Sequence, residues 1–332
     1  MPKPVDPTRR GALALGLGHA LGLGAAWPAG ADAARGITLL VPYPAGGASD
    51  ALARQLAPEL AAALGRPVQV VNVSGASGAL AAQKLLAAPA DGSTLMLLSS
   101  SETILPPLLM PGVKYRAEDF TLLVGPLSVP LALLARPGLP AQHVDALLAH
   151  ARQPGQPSLR YGSLGHGSVS HLAALDFERL TGLEMVHVPY RGGAPLSMAL
   201  AGEQLDICFM PFAAGSARLA EQGRIKVLGL SGPSSAAQQA AYARLADHPQ
   251  LRGFAHAAWT SFAVAAATPA ALAQTLNQSL NRILQLPAMQ QAAISMGAPL
   301  PAPASLAEAA AFYRSEVARV RALARALPVR LD

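Results

Sequence analysis

Three serines and two histidines crowd one short stretch, "GSLGHGSVSH", among them Ser163, His166, Ser168 and His171. Residues of these types can do three kinds of chemistry. A serine beside a histidine can act as a nucleophile with its general base. Close histidines can hold a metal ion. Serines and glycines at a turn can grip an anion through hydroxyl and main-chain donors. The spacing speaks against the first two. A hydrolase of the α/β class carries G-x-S-x-G at a strand-to-helix elbow, and this stretch lacks it. His166 and His171 stand five apart with no glutamate between them, unlike H-E-x-x-H. An exported serine hydrolase using Ser168 and His171 is the alternative reading; otherwise His171 caps or packs a helix. His187 in "MVHVPY" alternates with apolar neighbours, as a core histidine does. Asp206 in "QLDICF" starts a strand, where it can cap, pair across a cleft or turn the chain. Walker-type phosphate loops and Cys/His metal spacings are absent from the sequence, so neither metal nor cofactor is expected.

The anion reading gains from repetition. "PYPAGGASD" follows the apolar run "ITLLV". Gly46 and Gly47 have no side chain to keep a ligand from the backbone, and a helix starting near Ser49 or Asp50 brings unpaired N–H groups. Asp50 can also cap that helix, and a plain tight turn needs the same glycines. "NVSGASG" and "SSSET" end the next two strands, and "YGSLGHGSVSH" and "PYRGGAP" end two later ones. These turns offer hydroxyls from Ser49, Ser99, Ser101, Thr103, Ser163 and Ser168, but Arg191 is their one positive side chain. Such a set suits a carboxylate held by dipoles. Each neutral hydrogen bond contributes about 0.5–1.5 kcal/mol net, and more to a charged acceptor. Several together reach micromolar binding, roughly −8 kcal/mol.

Positioning these turns requires strands that all end on one side. Short apolar runs alternate with helical patterns along the chain, which predicts an α/β fold with mostly parallel sheets. "ITLLVPY", "PVQVVNV" and "ADGSTLMLLSS" read as strands separated by helices. "FTLLVGPLSVPLALLARPGLP" is broken by Pro126, Pro130 and Pro137, so it reads as two strands meeting at a bend. A second α/β series runs from "HVDALLAHARQ" to "IKVLGLSG". "HAAWTSFAVAA" gives one more strand, with Trp259 packing at a junction, and three helical segments close the chain. The leftovers pack most simply onto the first unit, so the chain crosses between two lobes near 125–130 and near 228–232. A cleft between hinged lobes is a favoured place for a small ligand.

Composition narrows the class. The chain has 332 residues, 52% hydrophobic and 13% charged, which excludes disorder. Its net charge is +6, but a nucleic-acid surface needs a basic stripe with interleaved aromatics, and the arginines from Arg314 onward lie on one terminal helical pattern, so a solvated face is expected. The single cysteine, Cys208, excludes an intrachain disulfide and reads as a buried small hydrophobe. "MPKPVDPTRR", then "GALALGLGHALGLGAA", then "PAGADAA" have the pattern of a secretory leader over 1–33, cut near Ala31 or Ala33, with paired arginines that permit twin-arginine export. An exported, periplasmic protein is expected.

The ordered landmarks "VPYPAGGASDALARQLAPEL", "GRPVQVVNVSGASGALAAQKLLAAPADGSTLMLLSS", "LRYGSLGHGSVSHLA", "VHVPYRGGAP", "LAGEQLDICFMPF" and "WTSFAVAAATPAALAQTLNQSLNRIL" span almost the whole chain after the leader. In that order they resemble the periplasmic solute receptors of tripartite tricarboxylate transporters, often called Bug receptors. The resemblance implies a two-lobed Venus-flytrap binding protein, each lobe a mostly parallel sheet flanked by helices, with two hinge crossings. It implies lobe 1 over 34–127, lobe 2 over 128–230 and a return to lobe 1 over 231–332. It implies a monomer that binds a small carboxylate, without catalysis or cofactor, and delivers it to membrane transporter subunits; a receptor-fold sensor without a transport role is the further alternative. Carried over by position, Tyr43, Ala45, Gly46, Gly47, Ser49 and Asp50 hold the carboxylate, with Ser101 nearby. Ser163, His166, Ser168, Tyr190, Gly192 and Ala194 close from the second lobe, and Asp206 matches an acidic position beside the cleft. Met210-Pro211 stand where that family often has Asp or Asn, so the distal side, with Phe212, suits a monocarboxylate or an aromatic acid.

Overall fold

A strand as apolar as β1 (Ile37–Val41) needs cover on both faces. The computed structural model, which describes residues 36–232, 241–296 and 300–327, supplies it. The expected leader at 1–33 lies outside the described residues. After β1 come α1 (Ala48–Leu64), β2 (Val68–Asn72), α2 (Ala79–Ala87) and β3 (Thr94–Leu98). The short helices α3 (Ser100–Thr103) and α4 (Pro106–Leu109) lead to β4 (Phe120–Leu122) and β5 (Leu127–Ala135). The second series is α5 (Val144–Ala151), β6 (Arg160–Ser163), α6 (Val169–Thr181), β7 (Val186–Pro189), α7 (Gly193–Ala201), β8 (Ile207–Pro211), α8 (Ala214–Glu221) and β9 (Lys226–Ser231). The chain closes with β10 (Ala257–Ala265), α9 (Ala270–Leu284), α10 (Pro287–Met296) and α11 (Leu306–Ala326).

The strands lie in the order β2-β1-β3-β10-β5-β8-β6-β7, with β4 beside β10 and β9 beside β5. β1 is parallel to β2 and β3, and β6 is parallel to β7 and β8, so each half has the parallel set that the alternating pattern predicts. Leu39 packs with Leu52, Leu56 and Leu276 on one face of the first half. Leu40, its neighbour, packs with Ala82, Leu85 and Val320 on the other. The second half repeats the arrangement: Leu133 and Phe209 lie with Phe177 on one face, and Ala132 and Cys208 lie with Leu196 and Leu200 on the other. Burying one such leucine stabilises by about 1.5–3 kcal/mol. Cys208 is fully buried as expected, and that burial pushes its thiol pKa up.

The bend at 125–130 is where the halves meet. Residues Leu127–Pro130 of β5 pair with β10, whereas Leu131–Ala135 pair with β8 and β9. β10 does the converse, with Ala257–Thr260 on β5 and Ser261–Ala263 on β3. Trp259 sits at this junction, edge-on to Phe312 at 5.3 Å. The return differs from the expected one near 228–232. β9 stays in the second half, and Leu245, Leu251 and Phe254 pack there beside Phe177 and Phe209. The cause is apolar: these side chains complete a core that the preceding strands leave open, so the chain comes back through β10. Among the described residues no helix is long and apolar enough to cross a membrane.

Candidate functional site

The parallel strands of each half deliver their turns to the seam between the halves. In the turn after β1, Gly46 takes φ +85°, a left-handed conformation that excludes most side chains. Its N–H donates to Asp50 Oδ2 at 2.9 Å. Arg54 Nε reaches both Asp50 oxygens, at 3.0 and 2.9 Å, and Asn72 Nδ2 donates to Asp50 Oδ1 and to the Tyr43 carbonyl, each at 3.0 Å. The bonds from Arg54, Gly46 and Asn72 hold the Asp50 carboxyl at a pKa of about 2. Asp50 and the Gly46 amide therefore brace the turn from within and are not free for a ligand. What the turn leaves open is the start of α1. Gly47 is its N-cap, no side chain bonds its first amides, and Pro44 to Ala48 are exposed.

Behind this turn lies Glu102, which is fully buried. Its Oε1 accepts from the Tyr43 hydroxyl at 2.6 Å and its Oε2 from the Ser99 N–H, while Ser99 Oγ accepts from Ser101 N–H at 3.1 Å. Burial raises the pKa of both Glu102 and Tyr43. The Tyr43 hydroxyl is thus anchored inward, and its expected contact with a ligand falls to its ring and backbone. Glu102, Arg54 and Asn72 did not emerge from the sequence. The signals were there: Ser99-x-x-Glu102 has capping-box spacing, and Asp50 and Arg54 stand at i, i+4.

In the second half, Ser163 ends β6 with no exposed surface. Its Oγ lies 2.6 Å from His187 Nε2 and accepts from Gly165 N–H at 3.1 Å. Ser168 is the N-cap of α6: its Oγ accepts from the His171 N–H at 3.3 Å and donates to the Gly165 carbonyl at 2.7 Å. The His171 Nδ1 accepts from Gly167 N–H at 3.1 Å. Ser168 therefore caps the helix whose first turn carries His171. The His187 ring lies nearly parallel to both Tyr161, at 4.8 Å, and His171, at 4.1 Å. Desolvation, with the neighbouring histidines adding to it, lowers His171 to about 4 and His187 to about 3, so both are neutral at neutral pH. Tyr190 N–H donates to the Ser163 carbonyl at 2.9 Å. Gly192, at φ +122°, caps α7 without a side-chain bond, and Ala194 is exposed in its first turn.

Among the described residues two bonds join the turns of one half to those of the other. Ser77 Oγ donates to the His166 carbonyl at 2.5 Å, and Val169 N–H donates to Ser101 Oγ at 3.2 Å. Ser77 and Ala76 hold φ of +51° and +47°, conformations that cost a non-glycine residue about 1–2 kcal/mol.

Asp206, expected beside the cleft, does not join these turns. It accepts from Arg136 Nε at 3.0 Å and from the Arg160 N–H at 2.8 Å. Arg160 begins β6 and Ser163 ends it, so Asp206 lies at the opposite ends of the strands, roughly 10 Å away. Arg136, just past the end of antiparallel β5, and Arg160, at the start of β6, draw it there. Phe212 of the expected distal wall is also buried, packed edge-on against Tyr242 at 5.1 Å, while Met210 stays near the surface of that core by Gly193.

The family described as the tripartite tricarboxylate transporter family receptor matches residues 52–328. Protein BugT of Bordetella pertussis is 32% identical over 284 residues, covering 83% of this chain and 85% of that one. An R. palustris protein solved with adipate is 28% identical, with a TM-score of 0.79 over 90% of this chain and 97% of that one. MatC from Rhodopseudomonas palustris, with bound malate, is 26% identical, with a TM-score of 0.77 over 87% and 99%. With a match running through both halves, the chain belongs to the tripartite tricarboxylate transporter receptor family.

Proposed function

We propose that this protein is a periplasmic receptor that takes a small organic acid by its carboxylate at the seam and passes it to a tripartite tricarboxylate-type transporter. The observation that carries the reading is the meeting of turns from both halves, through Ser77 to His166 and Val169 to Ser101. Uncapped amides of α1, around Gly47, Ala48 and Ser49, supply donors and the positive end of the helix dipole. Tyr43 and Ala45 flank them, with Gly46 and Asp50 fixing the turn. Ser101, Ser163, His166, Ser168, Tyr190, Gly192 and Ala194 frame the facing side. Adipate and malate in the similar structures are acids of the kind these donors suit. The lobes are 34–127 with the return after β10, and 128–230 with residues 241–256; β5 and β10 are the hinge. The protein works as a monomer, exported by its leader, with no nucleic-acid partner and no covalent step.

Thermal melting and calorimetry against a panel of mono-, di- and aromatic carboxylic acids test this. At least one acid should bind saturably, and a hundredfold excess over its Kd should stabilise by about 2.7 kcal/mol. A flat panel, with neither heat nor a melting shift, contradicts the proposal.

A further inference from the structure

Helices α1 and α6 both begin at the seam, but their first amides differ. No side chain bonds those of α1. Those of α6 are taken up, His171 N–H by Ser168 Oγ at 3.3 Å and Val169 N–H by Ser101 Oγ at 3.2 Å. Val169 is the first residue of α6, so its N–H has no acceptor within the helix. Ser101 belongs to the other half, in α3. One half thus completes the cap of a helix in its neighbour. We infer that Ser101 is the closure latch of this protein: its hydroxyl, accepting the Val169 N–H, holds the two halves together whichever acid lies between them. The effect on acids rests on the seam being the ligand site; the latch itself does not.

Burial makes this the contact that decides. Ser101 is 3% exposed and Val169 5%. With the halves closed, water cannot stand in for Ser101, and losing its hydroxyl leaves a buried N–H unpaired. The bond from Ser77 Oγ to the His166 carbonyl is exposed, so water can replace either partner. The first half fixes where the Ser101 hydroxyl stands. Ser101 N–H donates to Ser99 Oγ, Ser99 N–H to Glu102 Oε2, and Thr103 Oγ1 to the Ser99 carbonyl at 2.9 Å. The Tyr115 hydroxyl donates to the Glu102 carbonyl. Gly78, at φ +89°, lies so close that a Cβ there would overlap Glu102 Cγ. Glu102 therefore ties together the turns after β1, at Tyr43, after β2, at Gly78, and after β3, at Ser99. A side chain that touches the acid sets preference among acids. A latch between protein groups shifts the closing equilibrium and so acts on every acid alike.

Pulsed electron resonance between spin labels on Glu59→Cys, in α1, and Glu184→Cys, after α6, reads open against closed, with buried Cys208 unlabelled. A closed population should be present without acid. Ser101→Ala should raise the open-to-closed ratio roughly two- to tenfold, as the loss of one neutral hydrogen bond does. It should weaken every acid of the panel by one common factor no larger than that. Val169→Pro tests the partner. Proline suits the first helical position, and Ser168, at ψ 163°, already has the extended backbone that precedes a proline. The change removes the N–H and sets a ring carbon against Ser101 Oγ, so it should open the protein at least as far. Val169→Ala, which keeps the N–H, should not. Adding Ser101→Ala to Val169→Pro should open the protein no further; effects that multiply independently overturn the direct bond. A protein open throughout without acid, a ratio unchanged by Ser101→Ala and Val169→Pro, or a Ser101→Ala loss confined to some acids overturns the latch. A panel in which no acid binds removes the receptor reading, and the distances still judge the latch.

Discussion

The two halves bring turns to one seam by different means. In the first half the turns are braced by ionisable groups: Asp50 gathers Gly46, Arg54 and Asn72, and buried Glu102 gathers Tyr43 and Ser99. In the second half neutral groups do this, with Ser163 on His187, Ser168 on His171, and Gly165 and Gly167 on either side of His166. The braced half presents fixed main-chain donors. The glycine-flanked half presents side chains that can adjust. The difference teaches that equivalent topological positions constrain where a turn ends up, and not which interaction holds it there.

Breaking the braced half should give the largest effect. Glu102→Ala leaves the Tyr43 hydroxyl and Ser99 N–H without their acceptor, and each orphaned buried group costs about 1–3 kcal/mol. A loss of about 2–4 kcal/mol is expected in urea melts, with weaker acid binding, and Glu102→Gln should recover most of it. On the neutral side, Ser163→Ala orphans His187 Nε2 and Gly165 N–H, with an expected loss of about 1–3 kcal/mol.

The pH dependence sharpens the contrast. His171 and His187 titrate near 4 and 3 when folded, against about 6.5 unfolded. Their pKa values are depressed on folding, so the unfolded chain binds more protons below pH 6.5. Stability is therefore full above that pH and falls as pH drops toward 4. Buried His256 adds the same sign, because desolvation outweighs its bond to Asp176. A fall of about 1–2 kcal/mol is expected between pH 6.5 and 5, discounted for solvent around His187. His187→Gln should flatten it. Within the braced half Asp50 should not respond there, since it titrates at about 2, whereas buried Glu102, whose pKa is raised, acts with the opposite sign.

Asp206→Ala acts at the other ends of the strands. It should cost about 1 kcal/mol, since its partners Arg136 and Arg160 are partly exposed, and leave acid affinity unchanged. A large loss of affinity would return Asp206 to the site. The smallest effect is Ala76→Gly. Removing the left-handed alanine at φ +47° should raise stability by about 0.5–1 kcal/mol in the same melts.

Much of this was legible in the sequence because apolar periodicity and glycine turns are local signals. "ITLLV" and "FTLLVGPLSVPLALLA" became β1, β4 and β5 with the expected bend between them. The missed parts are non-local. Asp206 reads equally well as a cap or a cleft residue until Arg136, 70 positions away, claims it. The His166–His187 approach joins two strands whose side-by-side register no spacing motif encodes. Glu102 looks like an ordinary helix cap until Tyr43 arrives from 59 residues away.

The most direct measurement is a crystal structure of the protein with the acid that binds best in calorimetry. The expected result is a carboxylate oxygen within hydrogen-bond distance of the α1 amides at Gly47 to Ser49, enclosed by the turns after β6 and β7. An acid bound elsewhere, with those amides facing solvent, would contradict it.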